Sequence, residues 1–131
     1  MKILYIDTTT SYLYTGLVVD KKLVSEVKKD LGKDLSSYTL KEIDTMLKQN
    51  HLEPNDIDKI IVVNGPGSFT GIRVGVTIAK TYAYSLKKEI VTISSLEAMA
   101  ISSKEDDIIK VPLIDARRGY VYGAIYNKDN M

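Results

Sequence analysis

Ile60-Ile61-Val62-Val63-Asn64-Gly65-Pro66-Gly67-Ser68-Phe69-Thr70-Gly71-Ile72-Arg73-Val74-Gly75 passes from a β-branched run through a glycine-rich loop into a helix. A β-branched run without alternation is the pattern of a strand buried on both faces, typical of parallel pairing. The glycines permit a sharp strand-to-helix turn, and either Ser68 or Thr70 can cap a helix running to about Lys87. A short strand, Ile90 to Ile93, completes a βαβ unit, and a further helix spans Ser94 or Ser95 to Ile101.

Upstream the pattern changes. Lys2 to Ile6, Tyr12 to Val19 and Lys22 to Lys28 read as three strands of an antiparallel meander, with Asp20-Lys21 as a tight turn. After the polar stretch Lys29 to Ser37 comes an amphipathic helix with Leu40, Ile43 and Leu47 on one face. Thr39-x-x-Glu42 fits a capping box, with Ser36 and Ser37 as competing caps and Asn50 as the stop. The order β-β-β-α-β-α-β-α predicts an α/β fold: a mixed sheet, antiparallel meander first, then βαβ units with flanking helices. That unit occupies residues 1–103. Ser102 to Asp107 reads as a linker, and Val111 to Ile114 with Tyr120 to Tyr126 as a hairpin around Ala116-Arg117-Arg118-Gly119. Residues 108–131 are expected to open a second layered unit that stops short, so the chain reads as truncated.

Composition narrows the classes. Apolar residues make up 44% and charged residues 27%, which argues against disorder. Eighteen basic and seventeen acidic residues leave a net charge of +1, so any RNA contact is expected to be shared with another subunit. The chain has no cysteine and one histidine, His51, so neither disulfides nor a two-histidine zinc site can form. His51 follows a helix end, where it suits the helix dipole. No signal peptide or membrane-spanning run is evident, and a cytoplasmic location is expected. Ser68 lacks the Gly-x-Ser-x-Gly elbow of a serine nucleophile.

The glycine loop fits phosphate fingerprints poorly. A P-loop needs Gly-Lys followed by Ser or Thr, whereas Ile72 follows Gly71; a dinucleotide loop wants its third glycine where Thr70 stands. The helix says more. Gly71, Gly75, Ala79 and Ala83 recur at four-residue spacing and form a ridge without side-chain bulk, flanked by Ile72, Val76 and Leu86 and by Val74, Ile78 and Tyr82. Arg73, Thr77, Lys80 and Tyr84 form a polar stripe opposite. Two readings stay open: the ridge packs on the domain's own sheet, or a second helix docks on it from a partner or another copy. On the second, a Leu at Gly75 or Ala79 abolishes association while the fold survives. The nine tyrosines, against one phenylalanine, read as amphipathic packing residues, some at an interface.

The stretch Asn64 to Gly75 resembles the signature of the TsaB (YeaZ) family. Ile6-Asp7-Thr8-Thr9-Thr10, Ser94-Ser95-Leu96-Glu97-Ala98 and Ile114-Asp115-Ala116-Arg117-Arg118-Gly119-Tyr120-Val121-Tyr122 agree with it in order. The resemblance implies an actin-like ATPase (ASKHA) fold of RNase H-like lobes, of which this chain supplies the first and the start of the second. It implies a non-catalytic scaffold in the complex that forms threonylcarbamoyladenosine in tRNAs reading ANN codons. The partners it implies are the catalytic subunit TsaD, the ATPase TsaE and, when free, a second copy, with tRNA only as part of the complex. The implied interface is the helix from Thr70 to Lys87: Gly71, Ile72, Val74, Gly75, Val76, Ile78, Ala79, Tyr82 and Ala83. Gly65, Pro66, Gly67, Ser68, Phe69, Thr70 and Arg73 form the motif loop. The family's histidine at the start of the first helix is replaced here by Ser36-Ser37-Tyr38.

Asp7-Thr8-Thr9-Thr10-Ser11 also resembles the phosphate hairpin of actin-like ATPases, with Thr8 in place of the usual glycine. Asp7, Thr8, Thr9 and Asp115 are therefore candidate nucleotide contacts, or a turn whose side chains bond their own backbone. ATP or ADP is expected, if anywhere, at the interface of the assembled complex without turnover by this chain, and no metal is expected. The competing function is a small-molecule kinase or ATPase using Asp7 and Asp115. Arg117 and Arg118 at the hairpin tip are candidate tRNA or partner contacts, or simply polar turn residues.

Overall fold

The computed structural model describes residues 1–103 and 108–127. The middle of the expected linker, 104–107, and the tail, 128–131, lie outside the described residues. Three antiparallel strands, β1 (Lys2–Asp7), β2 (Tyr12–Val19) and β3 (Lys22–Asp30), form the expected meander. Its β2–β3 turn is made by Asp20 and Lys21, both with positive φ. β4 (Lys59–Val63) pairs parallel with β1 on one side and with β5 (Glu89–Ile93) on the other, giving a five-stranded sheet of order β3-β2-β1-β4-β5.

Strand alternation sends Leu4, Ile6, Leu17, Ile60 and Val62 to one face, where they are buried. Two helices cover that face: α1 (Leu35–Gln49) through Ile43, Met46 and Leu47, and α2 (Phe69–Leu86) through Ala79 and Ala83. α1 begins earlier than its sequence signals suggest. Thr39 is not a cap but a buried interior residue whose hydroxyl donates to the Leu35 carbonyl at 2.6 Å, and Ser36 and Ser37 lie in the first turn. The tertiary need to bury Leu35 and Thr39 outweighs the local capping pattern. Leu40 does not share the buried face of Ile43 and Leu47; it is 52% exposed. Asn50 is the C-cap, as expected, and His51 takes the left-handed conformation after it.

α3 (Ser95–Ser102) starts behind Ser94, whose hydroxyl oxygen accepts from the Leu96 N–H at 3.1 Å. It borders the opposite face of the sheet. The remaining described residues make a separate hairpin, β6 (Leu113–Arg117) and β7 (Tyr120–Gly123). Its first strand begins later than predicted and reaches Arg117, leaving Arg118 and Gly119, both at positive φ, as the two-residue turn.

Candidate functional site

The glycine loop joins three elements. The Ser68 N–H donates to the Thr9 carbonyl at 2.7 Å, tying the loop to the β1–β2 turn. Ser95 at the start of α3 donates its hydroxyl to the Pro66 carbonyl at 2.5 Å and its N–H to the Gly65 carbonyl at 2.9 Å. Ser68, not Thr70, caps α2, accepting from the Gly71 N–H at 3.2 Å. The buried Thr8 hydroxyl donates to the Gly71 carbonyl at 2.5 Å. Neither Thr8's clamp nor Ser95's was foreseen from sequence, because each joins segments far apart in the chain.

This clamp decides between the two readings of the small-residue ridge. Gly71, Gly75, Ala79 and Ala83 are buried inside the chain. A Cβ on Gly71 would collide with the Thr8 carbonyl oxygen, and one on Gly75 with the Thr8 hydroxyl. The ridge therefore lets α2 approach β1 of its own sheet, which corrects the expectation that these four residues are open to a second helix. It also corrects the expected Gly75→Leu outcome, since that side chain has no room in the fold. The flanking Ile72, Val74, Val76, Ile78 and Tyr82 are partly buried.

The β1–β2 turn is held by its own side chains. Asp7 Oδ1 accepts from the Thr9 N–H at 2.9 Å and the Thr9 hydroxyl at 2.7 Å, and the Tyr12 N–H donates to the Thr10 hydroxyl oxygen at 3.1 Å. Asp115 is exposed and accepts from the Arg117 N–H at 2.8 Å, so both carboxylates are engaged in separate local turns. Asp7 lines a groove of about 940 Å³ on the sheet face that α3 borders, together with Tyr5, Thr9, Pro66, Gly67 and Ser95; Asp115 is not part of that lining. Among the described residues no group of three or more His, Cys, Asp or Glu side chains is placed to hold a metal. The Tyr5 phenol, two positions before Asp7, is pushed up to about 12, first by burial and then by the Asp7 charge. Arg117 and Arg118 are exposed at the hairpin tip.

α1 and α2 leave a second hollow on the outside of the molecule. Leu40, Pro54, Ile78, Tyr82 and Leu86 line an open, largely apolar groove of about 480 Å³, with Thr77, Thr81 and Ser85 along its wall. Two of the predicted interface residues, Ile78 and Tyr82, belong to it. Leu40 and Pro54 come from elsewhere in the sequence and were not among them.

A sheet of order β3-β2-β1-β4-β5, antiparallel on one side and parallel on the other, with helices on both faces, defines an actin-like, RNase H-like lobe. The Pseudomonas aeruginosa structure titled YeaZ superposes with a TM-score of 0.85 at 22% identity, covering 96% of this chain and 60% of that one. The family model described as TsaD, tRNA N6-adenosine threonylcarbamoyltransferase, matches residues 29–130. The Bacillus subtilis tRNA threonylcarbamoyladenosine biosynthesis protein TsaB is 39% identical over 99% of this chain and 57% of its own length. The Escherichia coli protein of the same name is 30% identical over 98% and 56%. The chain belongs to this threonylcarbamoyladenosine family, on its TsaB (YeaZ) side. It spans somewhat over half the length of these relatives. No helix among the described residues is long and apolar enough to cross a membrane.

Proposed function

We propose that the chain is the scaffold lobe of a subunit in tRNA threonylcarbamoyladenosine formation, without transfer chemistry of its own. In this reading it holds a TsaD-type transferase, and through it the TsaE ATPase, on the outer surface of α1 and α2. A second copy takes the same place when the partner is absent. The observation that carries the reading is the apolar groove of Leu40, Ile78, Tyr82 and Leu86, left open among the described residues. An exposed apolar patch with a polar rim marks an interaction surface, and protein interfaces have an apolar core inside a polar rim. The clamp residues of the glycine loop act one step back, fixing α2 on the sheet so that Ile78 and Tyr82 stand at the groove. The test is the association of a Leu40→Gln variant with the transferase subunit of the same genome. Leu40 is half exposed, so its replacement spares the core. Binding at least about tenfold weaker is expected from losing a central apolar contact.

A second reading is favoured by the groove at Asp7. Its position beside Thr9, Pro66, Gly67 and Ser95 would suit a nucleotide held without turnover at the interface of an assembled complex. Calorimetry with magnesium-ATP and an Asp7→Asn variant tests it: heat of binding lost in the variant supports the reading, and no heat with the unaltered chain at millimolar nucleotide excludes it for this chain.

A further inference from the structure

Next to the apolar groove, and sharing Thr77 with its wall, α2 turns a second face to solvent. Phe69, Arg73, Thr77, Lys80 and Tyr84 fall within about 80° of one another on the helix at ~100° per residue, and all are exposed. Phe69 and Tyr84 are 76% and 82% exposed. The Arg73 guanidinium lies 5.3 Å from the centre of the Phe69 ring. Lys87 continues the row at the C-cap. From Asn64 to Lys88 the chain carries four cationic residues and no acidic one. Three other lysines pair with carboxylates, Lys29 with Glu42, Lys48 with Asp44 and Lys59 with Glu89. Among the described residues no ion pair holds Arg73, Lys80 or Lys87. The near-zero net charge of the whole chain conceals this local excess.

We propose that the outer face of α2 binds RNA, with Arg73, Lys80 and Lys87 on backbone phosphates and Phe69 and Tyr84 as stacking surfaces for unpaired bases. The three cations recur every two helical turns, roughly 10 Å apart, which suits contact with successive stretches of a phosphodiester backbone. Each aromatic ring stands one turn from a cation, Phe69 by Arg73 and Tyr84 by Lys80. RNA offers both anionic groups and planar apolar faces, and proteins that grip single strands combine cations with exposed rings in this way. An acidic protein surface would match the charges but not the rings. The choice of RNA as the polyanion rests on the function proposed above; the cationic and aromatic face itself does not.

The probe is fluorescently labelled unmodified tRNA, titrated against the 131-residue chain at about 50 and 200 mM salt, the range over which phosphate contacts weaken most visibly. The variant Arg73→Glu with Lys80→Glu is expected to bind at least tenfold more weakly at low salt. Its dependence of log K on log salt should be shallower by about 1.4, from two lost contacts at ~0.7 each. Phe69→Ala with Tyr84→Ala should weaken binding and leave the salt dependence unchanged. Lys80→Arg should bind as the unaltered chain does. An affinity that the acidic variant leaves unchanged overturns the proposal, as does absence of binding by the unaltered chain. Loss of transferase binding with tRNA binding intact in the acidic variant would identify an acidic protein partner and also overturn it. Leu40→Gln separates the two readings: it should lose the transferase and keep tRNA.

Discussion

Thr8 sits in a turn yet organises the centre of the molecule. Its hydroxyl reaches the Gly71 carbonyl, and its backbone and side chain fill the space that side chains on Gly71 and Gly75 would need. Thr8→Val keeps the shape and removes the buried donor, so unfolding in denaturant should show a loss of about 1–3 kcal/mol. Gly75→Ala should cost about 1–3 kcal/mol by overpacking, and its effect should not add to that of Thr8→Ala, because the second change removes the oxygen that the first strikes. The four-residue spacing of small side chains was legible in the sequence as a demand for close approach. What approaches was not, because missing side chains record the distance between two backbones and say nothing of whose backbone it is. Tyr5 gives a pH test. Its phenol holds its proton to about 12 in the folded chain against 10.0 ordinarily, so this contribution is intact below pH 10 and is lost as pH rises through 12. Thermal melting should therefore fall in that window, and Tyr5→Phe should flatten part of the fall. Tyr82, raised chiefly by burial, supplies a share in the same direction.

The elements themselves were mostly readable. The unbroken Ile60 to Val63 run became a central parallel strand, and Ser68 became the cap of α2. Ser68→Ala should cost about 1 kcal/mol of stability, measurable by the same denaturant titration, and should fray the first turn of α2 where Gly71 meets Thr8. The start of α1 was misread for a physical reason. Thr39 and Glu42 have the right spacing for a capping box, but Thr39 is needed in the core and Glu42 pairs with Lys29 at 2.8 Å. A local pattern worth about one hydrogen bond yields to burial of a whole helical turn. The groove of α1 and α2 was only half visible from the sequence: Ile78 and Tyr82 announce themselves by periodicity, whereas Leu40 and Pro54 join them through the fold.

At the scale of the whole molecule, one sheet presents two unlike faces. The covered face carries the packed core of α1 and α2, and these helices offer an apolar groove and a cationic, aromatic row to the outside. The other face carries the broad groove that Asp7 lines. Placing the chain in the TsaB (YeaZ) family was possible from four short segments, three of which, the Asp7 turn, the glycine loop and the start of α3, the fold ties together; the groove of α1 and α2 is assembled from residues that carry no such motif. The central claim is that partner docking belongs to the outer groove of α1 and α2 rather than to the buried small-residue ridge. Size exclusion with light scattering, on the unaltered chain and on Leu40→Gln, each mixed with the transferase subunit of the same genome, tests it most directly. The account predicts a joint peak with the unaltered chain and its loss in Leu40→Gln, with the melting temperature unchanged. A joint peak that survives Leu40→Gln at the same concentration would contradict it.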